Sequence, residues 1–492
     1  MTVATLQAFL PELVLLLGAL GLFVVCLGEG RGRRARAVAS GVALLAVGAS
    51  AVSLTQSGVL FDGTYRVDAF SQLLKVVLAF GYLLVMLVSR RLPAIRGEIQ
   101  PEYYLLLDLS VSGLVMLVSC VDLITLVVAL ELAAFPLYLM VPMRLEAHGQ
   151  KSQMEGAIKY VMFGIAANGV MLFGMSYLFG LTGTTSLPLL FPRLQPLMHS
   201  PLALVGLAMT FCGLYYKLAV FPFHFWTPDV YQGAANETAS LIASLPKVGA
   251  VAVLIRLVSL SAPDNPPLVL FMTVLACASM FYGNLIALQQ TDFKRLLGFS
   301  GIAHAGYALI GFVTLDRAGY SAALYYIVGY AFMVLACFTV ICHVAPDGEN
   351  LSLEQLGGLH RRSPLLALTL LVGVFALAGI PPFVGFMGKF NLLVAALGRG
   401  HLWLVIIAMV NAAIGVYYYL SVVREACLRE APERAPIVLP WSSRLLCVLL
   451  IAAIVVLGVA PGRFLDSVAT SVACVNAAPS MAPAALVAGG AR

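Results

Sequence analysis

Four lysines, two histidines and one glutamate stand within long apolar stretches of this 492-residue chain, a placement suited to moving protons. They are Glu131, Lys159, Lys217, Lys247 and Lys389 with His224 and His304. A lysine at the centre of a membrane helix costs roughly 2.5 to 3.5 kcal/mol on insertion scales. Such a residue is therefore seldom left facing lipid and marks a functional site by default.

The chemistry follows from what burial does to each type. Desolvation favours a neutral lysine and a nearby carboxylate favours a charged one, so a buried pair can sit near balance. Glu131, alone in LITLVVALELAAFPLYLM, is the natural partner for Lys217. His304, with Ser300 and Tyr307 on the same helical face, can hand a proton on because imidazole titrates near neutrality. Arginine, which stays charged, falls almost entirely in loops or at span ends, whereas Lys159, Lys217, Lys247 and Lys389 fall within or just inside spans. Lys75 and Lys159 can also be read as side chains that snorkel to an interface. Asp122 and Asp229 lie at span ends and read as caps, while His343, His360 and His401 receive no role.

The elements that must position these groups are membrane helices. With 61% hydrophobic and 11% charged residues, the chain reads as an all-α polytopic membrane protein. Windows of about 20 residues give about fourteen transmembrane spans, the first a retained helix near 6–27 and the last near 442–462. The final 30 residues are too interrupted for a span and are read as a tail. Two spans are broken by proline: one near 203–227 at Pro222, the other near 364–397 at Pro381 and Pro382. Lys217 precedes its break and Lys389 follows its own, as an inverted repeat demands. The expected organisation is an N-terminal three-helix segment at 1–101 and two inverted five-helix units at 102–262 and 263–424, spans 4 to 8 and 9 to 13. A C-terminal helix and tail occupy 425–492.

Loop charges orient the bundle. Every second connection is basic, through Arg31, Arg33, Arg34 and Arg36, then Arg90, Arg91 and Arg96, then Arg144 and Lys151, Lys294 and Arg295, Arg361 and Arg362, and Arg424, Arg429 and Arg434. The positive-inside rule makes these loops cytoplasmic and puts both termini on the outer face. The net charge of +6 is thus spent on orientation and gives no sign of nucleic acid. Nine cysteines lie scattered in apolar runs without CxxC spacing and read as small core residues. No GxGxxG after a strand, P-loop or haem or cluster ligand set is present, so no cofactor or metal is expected in this chain itself.

The stretches KLAVFPFHFWTPDVYQGA, QQTDFKRLLGFSGIAHAGY and LAGIPPFVGFMGKF, with the sequence around Glu131, resemble subunit N of the bacterial NADH:quinone oxidoreductase, respiratory complex I. The chain is similar also to its mitochondrial counterpart and, more distantly, to Mrp-type antiporter subunits. The resemblance spans roughly 102–424. It implies an antiporter-like, proton-translocating membrane subunit in which Glu131 and Lys217 match the paired glutamate and lysine, Lys247 the central lysine and Lys389 the lysine of the second broken helix. His224 and Lys159 match ancillary positions. NADH, FMN, iron-sulfur clusters and quinone would then belong to other subunits, and the partners would be the A, H, J, K, L and M type membrane subunits in the bacterial inner membrane. A lysine at 389, where the M type carries glutamate, and the short tail, where the L type has a long lateral helix, favour the N type. One departure is the run Ala235, Asn236, Glu237, Thr238 after TPDVYQGA, where the family usually has proline-containing sequence. An Mrp-like cation/proton antiporter subunit, a subunit of a related hydrogenase or dehydrogenase complex, and a structural subunit whose buried charges only fix helix register are the alternative readings.

Overall fold

Backbone N–H and C=O groups in hydrocarbon have no water to bond, so a chain this apolar satisfies them within helices. The computed structural model describes residues 3–28, 32–145, 152–261, 265–429 and 435–475. It contains the spanning helices α1 (Leu10–Cys26), α2 (Gly32–Ser53), α3 (Ala69–Val88), α4 (Gln100–Leu117), α5 (Leu123–Met140) and α6 (Ser152–Thr182). The next crossing is split into α7 (Pro201–Leu218) and α8 (Thr227–Gly233), followed by α9 (Asn236–Val258), α10 (Pro266–Ala287), α11 (Phe293–Val313) and α12 (Arg317–Val344). A second split crossing, α13 (Pro364–Ala378) and α14 (Val384–Gly398), leads to α15 (Leu402–Val423), α16 (Trp441–Val459) and α17 (Gly462–Ala473). Counting each split pair once, the described residues make fourteen crossings before α17, the number the sequence predicts.

Helices that are apolar all round belong in the middle of a bundle, and those with one exposed apolar stripe at its edge. Every residue of α9 is buried, and α11 is buried along its length except at Arg295. By contrast, Ile124, Val128, Phe135 and Leu139 of α5 and Ile158, Met162 and Ile165 of α6 are exposed. These outer stripes face lipid or neighbouring chains.

Short backbone bridges show which loops share a face. Ile95 pairs with Arg144 and Asp292 with Ser352, joining basic loops to one another. Tyr65 pairs with Cys120 and Asp122 with Ser186 on the opposite side. Two of these bridges are the same device used twice. Leu123 N donates to Thr185 O and Leu187 N to Val121 O, each at 2.9 Å; Phe293 N donates to Leu351 O and Leu353 N to Thr291 O, again at 2.9 Å. In both, the aspartate caps the helix that follows: Asp122 Oδ1 accepts from Ile124 N at 2.9 Å and Asp292 Oδ1 from Arg295 N at 2.9 Å. Nine residues before each aspartate a glycine lies against an alanine eleven residues after it, Gly113 on the Ala133 backbone and Gly283 on Ala303. A Cβ at either glycine would collide with that backbone, so α4 packs on α5 as α10 packs on α11.

The two split crossings also end alike. Ala219 and Gly379 are left-handed at φ 64 and φ 87. Ala219 N donates to Tyr216 O and Val220 N to Tyr215 O, while Gly379 N donates to Ala376 O and Ile380 N to Phe375 O. This is the Schellman pattern, which satisfies carbonyls that a helix end otherwise leaves open. Glycine takes the conformation freely, whereas Ala219 holds it at a cost of about 1–2 kcal/mol.

Three features differ from the sequence expectation. A small antiparallel hairpin, Gly58–Leu60 with Tyr65–Val67, covers the face opposite the basic loops. It is too short for a periodicity signal to register. The first split crossing breaks around Pro222 as the sequence indicates, over residues 219–226, but its second half, α8, lies at Thr227–Gly233, beyond the 203–227 expected. The region read as a tail begins with helix α17, which buries Val468, Ser471 and Val472 and is tied back where Arg66 Nη2 donates to Cys474 O at 3.3 Å. Residues 476–492, and Arg31, Lys151 and Arg434, lie outside the described residues.

Candidate functional site

Lys217 lies in the last turn of α7, where the open carbonyl end of a helix favours a cation. Its ammonium has no hydrogen-bond partner among the described residues and is ringed by aromatic faces: Tyr138 at 5.3 Å, Tyr216 at 5.6 Å and Tyr160 at 6.0 Å from the ring centroids. Cation–π attraction of this kind strengthens where water is excluded. Glu131 on α5 accepts a hydrogen bond from Asn168 Nδ2 on α6. Among the described residues no hydrogen bond joins it to the Lys217 ammonium.

Lys247 sits mid-way along the fully buried α9 and is 1% exposed. Nζ lies 3.3 Å from Gly301 O on α11 and 3.4 Å from the Tyr330 hydroxyl on α12, with the Tyr330 ring 4.9 Å away. Pro246, which cannot donate, precedes it without ending the helix.

His304 on α11 is held from both sides. Nδ1 is 2.5 Å from the Tyr326 hydroxyl on α12 and Nε2 is 2.9 Å from the Tyr419 hydroxyl on α15. A neutral imidazole donates from one nitrogen and accepts at the other, so the two hydroxyls take opposite roles. The His304 ring stands 5.0 Å from that of Tyr330.

Lys389 on α14 turns back over the break. Nζ donates to Leu377 O and Ala378 O, the final carbonyls of α13, at 3.0 Å each. It also lies 4.9 Å above the ring of Tyr307, whose hydroxyl donates to Ala408 O at 3.2 Å. The rings of Tyr307 and Tyr326 are 6.5 Å apart. Lys247, Tyr330, His304, Tyr326, Tyr307 and Lys389 thus form one polar row.

Beside Lys217 the surroundings are apolar. The void beside Lys217 is lined by Leu114, Leu117, Leu130, Ala133, Leu137, Pro246 and Ala250 and measures about 10 Å³. One water needs about that much room and two or more polar partners. A small leucine-lined void thus lies against Lys217 and the Pro246 and Ala250 side of α9.

The remaining candidates lie elsewhere. His224 is in the break between α7 and α8; both ring nitrogens lack hydrogen-bond partners, and the ring packs on Tyr282 at 4.2 Å, Phe225 at 4.5 Å and Phe221 at 5.3 Å. Lys159, with its side chain 36% exposed, bridges Glu155 and Asp229 at 2.6 Å each. Asp229 in turn pairs with Arg295 at 2.8 Å. That is an ion cluster near the basic loops, away from the buried row, and Asp229 belongs to it rather than capping a helix. Of the row's tyrosines only Tyr307 figures in the sequence reading, although Tyr325, Tyr326 and Tyr330 within one apolar helix are a signal, since a buried hydroxyl needs a partner.

The arrangement joins amines, an imidazole and hydroxyls in a buried interior, a set whose chemistry suits proton exchange. A family model described as "NADH:quinone oxidoreductase/Mrp antiporter, TM" matches residues 120–415. The chain belongs to that family. It is 61% identical to NADH-quinone oxidoreductase subunit N 2 of Opitutus terrae over 96% of this chain and 99% of that one. Among solved structures it is similar to a chain of respiratory complex I from Thermus thermophilus with bound aureothin, at TM-score 0.79 and 28% identity over 93% of this chain and 98% of that one. A chain of the Mrp complex from a Dietzia species, at TM-score 0.86 and 20% identity over 97% and 98%, shares the fold. The family consists of multi-pass subunits that sit in the membrane beside other subunits.

Proposed function

We propose that this chain is the N-type proton-translocating membrane subunit of a bacterial NADH:quinone oxidoreductase, and that Glu131, Lys217, Lys247, His304 and Lys389 carry the proton. The observation that carries the reading is the close succession of polar groups from Lys247 through Tyr330, His304, Tyr326 and Tyr307 to Lys389, joined by two hydrogen bonds and three ring contacts. Electron transfer from NADH to quinone takes place in other subunits, as do NADH, FMN and cluster binding. The redox step reaches this chain as a change of field at Glu131 and Lys217.

The leucine-lined gap fits a gate. While it is dry, Lys217 and Lys247 exchange no proton; a change of charge at Lys217 that draws water in would connect them, as hydrophobic constrictions gate by wetting. His224, unbonded in the break of the first split crossing, is an ancillary group on the Lys217 side, and Lys159 acts through the Asp229 cluster. The five-helix units at 102–262 and 263–424 are supported by the paired aspartate bridges and the matching Schellman ends. The basic loops support a cytoplasmic assignment for their face, with both termini outside and the chain in the inner membrane beside A, H, J, K, L and M type subunits.

The test is to assemble the complex with Lys247→Ala or Lys389→Ala, reconstitute it in vesicles and measure proton uptake against NADH oxidation. Loss of uptake in complexes that contain the subunit is the expected result. Undiminished uptake per NADH in both would refute the relay.

A further inference from the structure

A second set of buried polar groups runs along α3, outside the family match and away from the lysine row. Ser71, Lys75, Tyr82 and Ser89 fall within about 40° of one another on a helix of 3.6 residues per turn and span about 27 Å, close to the thickness of a bilayer's apolar core. All four are 0% exposed. Each of the last three is matched from another helix. Lys75 Nζ lies 2.6 Å from Glu12 Oε1 of α1, and the Tyr65 hydroxyl of the hairpin donates to the same carboxylate. Tyr82 donates to Asp108 Oδ1 of α4 at 3.0 Å. Ser89 Oγ is 3.4 Å from the Tyr103 hydroxyl of α4, and Tyr104 donates to Ser89 O at 2.8 Å.

The file has two ends. On the basic-loop face a cavity of roughly 400 Å³ is lined by Leu87, Val88, Arg90 and Arg91 from the end of α3 and by Glu237 of α9. Glu237 stands in the first turn of α9, which packs against α4, the helix that carries Tyr103. On the other face Gln72 bonds Ser53 at 3.3 Å and the Gln56 carbonyl, in the loop, at 3.4 Å. Three carboxylates mark the route, Glu237, Asp108 and Glu12, each no more than 2% exposed and each with one oxygen that has no hydrogen-bond partner. A buried carboxylate oxygen left open is costly. Three of them on one line are hard to account for as packing alone. None of their described partners is Lys217, Lys247 or Lys389.

We propose that Glu237, Asp108 and the Glu12–Lys75 pair form a second proton route across the membrane along α3, where the N-terminal three-helix segment meets the first five-helix unit. A proton from the cavity is taken by the Glu237 carboxylate. It passes through the Tyr103 and Ser89 hydroxyls, each giving up its own proton as it gains one, to Asp108, then by Tyr82 to Glu12 and Lys75 and out past Tyr65. Only O–H and N–H bonds form and break, and no electron moves. Leu78 and Ala79, then Val85 and Met86, occupy the intervals of about 10 Å between stations, which water must cross. The route conducts only when these intervals are wet.

The experiment uses the assembled complex in vesicles, with Asp108→Asn, Glu12→Gln and Asp108→Glu, and reads protons taken up per NADH oxidised together with the infrared carbonyl band of protonated carboxylic acids during turnover. Asp108→Asn is expected to lower the proton ratio at unchanged NADH oxidation and to remove a turnover-dependent carboxylic band, and Asp108→Glu to restore both. An unchanged ratio and band in Asp108→Asn and Glu12→Gln would overturn the route and leave the groups a structural role. If Asp108→Asn reduces subunit content, Asp108→Glu decides: recovery of the band and the ratio supports the route, and recovery of content without them overturns it.

Discussion

The Lys389 ammonium lies 3.0 Å from the Leu377 carbonyl oxygen, reaching back from α14 to cap the half-helix it does not belong to. Lys217 occupies the matching place on its own helix, in the last turn of α7. Each broken span thus holds one amine at the carbonyl end of its first half, delivered from opposite sides of the break. Lys389→Met should abolish proton uptake and leave the Leu377 and Ala378 carbonyls short of a donor, at about 1–3 kcal/mol. A lowered unfolding midpoint of the subunit in detergent together with lost uptake is the expected pair of readings.

His304→Phe should remove the partners of both the Tyr326 and Tyr419 hydroxyls, interrupting the row without touching a lysine. Proton uptake per NADH is expected to fall in His304→Phe and to be partly retained in His304→Gln, which keeps a donor and an acceptor. Equal pumping by the phenylalanine variant would show that the imidazole is not in the path.

Leu130→Ser places a hydroxyl in the gap beside Lys217 and should wet it. The expected outcome is faster passive proton leak through the assembled complex and weaker coupling, with NADH oxidation maintained. Leak unchanged from the parent would count against the gap as a gate.

Asp122→Ala and Asp292→Ala remove equivalent caps on opposite faces. Loss of such a cap costs about 1 kcal/mol, so the two variants should lower the thermal midpoint of the purified subunit by similar amounts. Strongly unequal losses would argue that the two bridges are not the same device.

Much of this was legible in residue order because the bilayer imposes one rule everywhere. Apolar runs of fixed length gave the fourteen crossings, and proline marked both breaks. Charged groups in the wrong solvent pointed to Lys217, Lys247 and Lys389. What stayed hidden depends on which faces meet. Glu12 and Lys75 are 63 residues apart, and nothing in either segment announces a buried pair at 2.6 Å. Tyr330, Tyr326 and Tyr419 look like ordinary membrane aromatics until α11, α12 and α15 converge on His304. Lys159 is held at the edge of its span by Glu155 and by Asp229, 70 residues further on, a partner that residue order does not announce.

The split crossings run head to tail in contrary senses, α7 into α8 toward the basic loops and α13 into α14 away from them. Their peptide dipoles therefore oppose each other along the membrane normal. The two split helices by themselves thus give a proton no preferred side, and any bias in the sense of travel has to come from charges outside them.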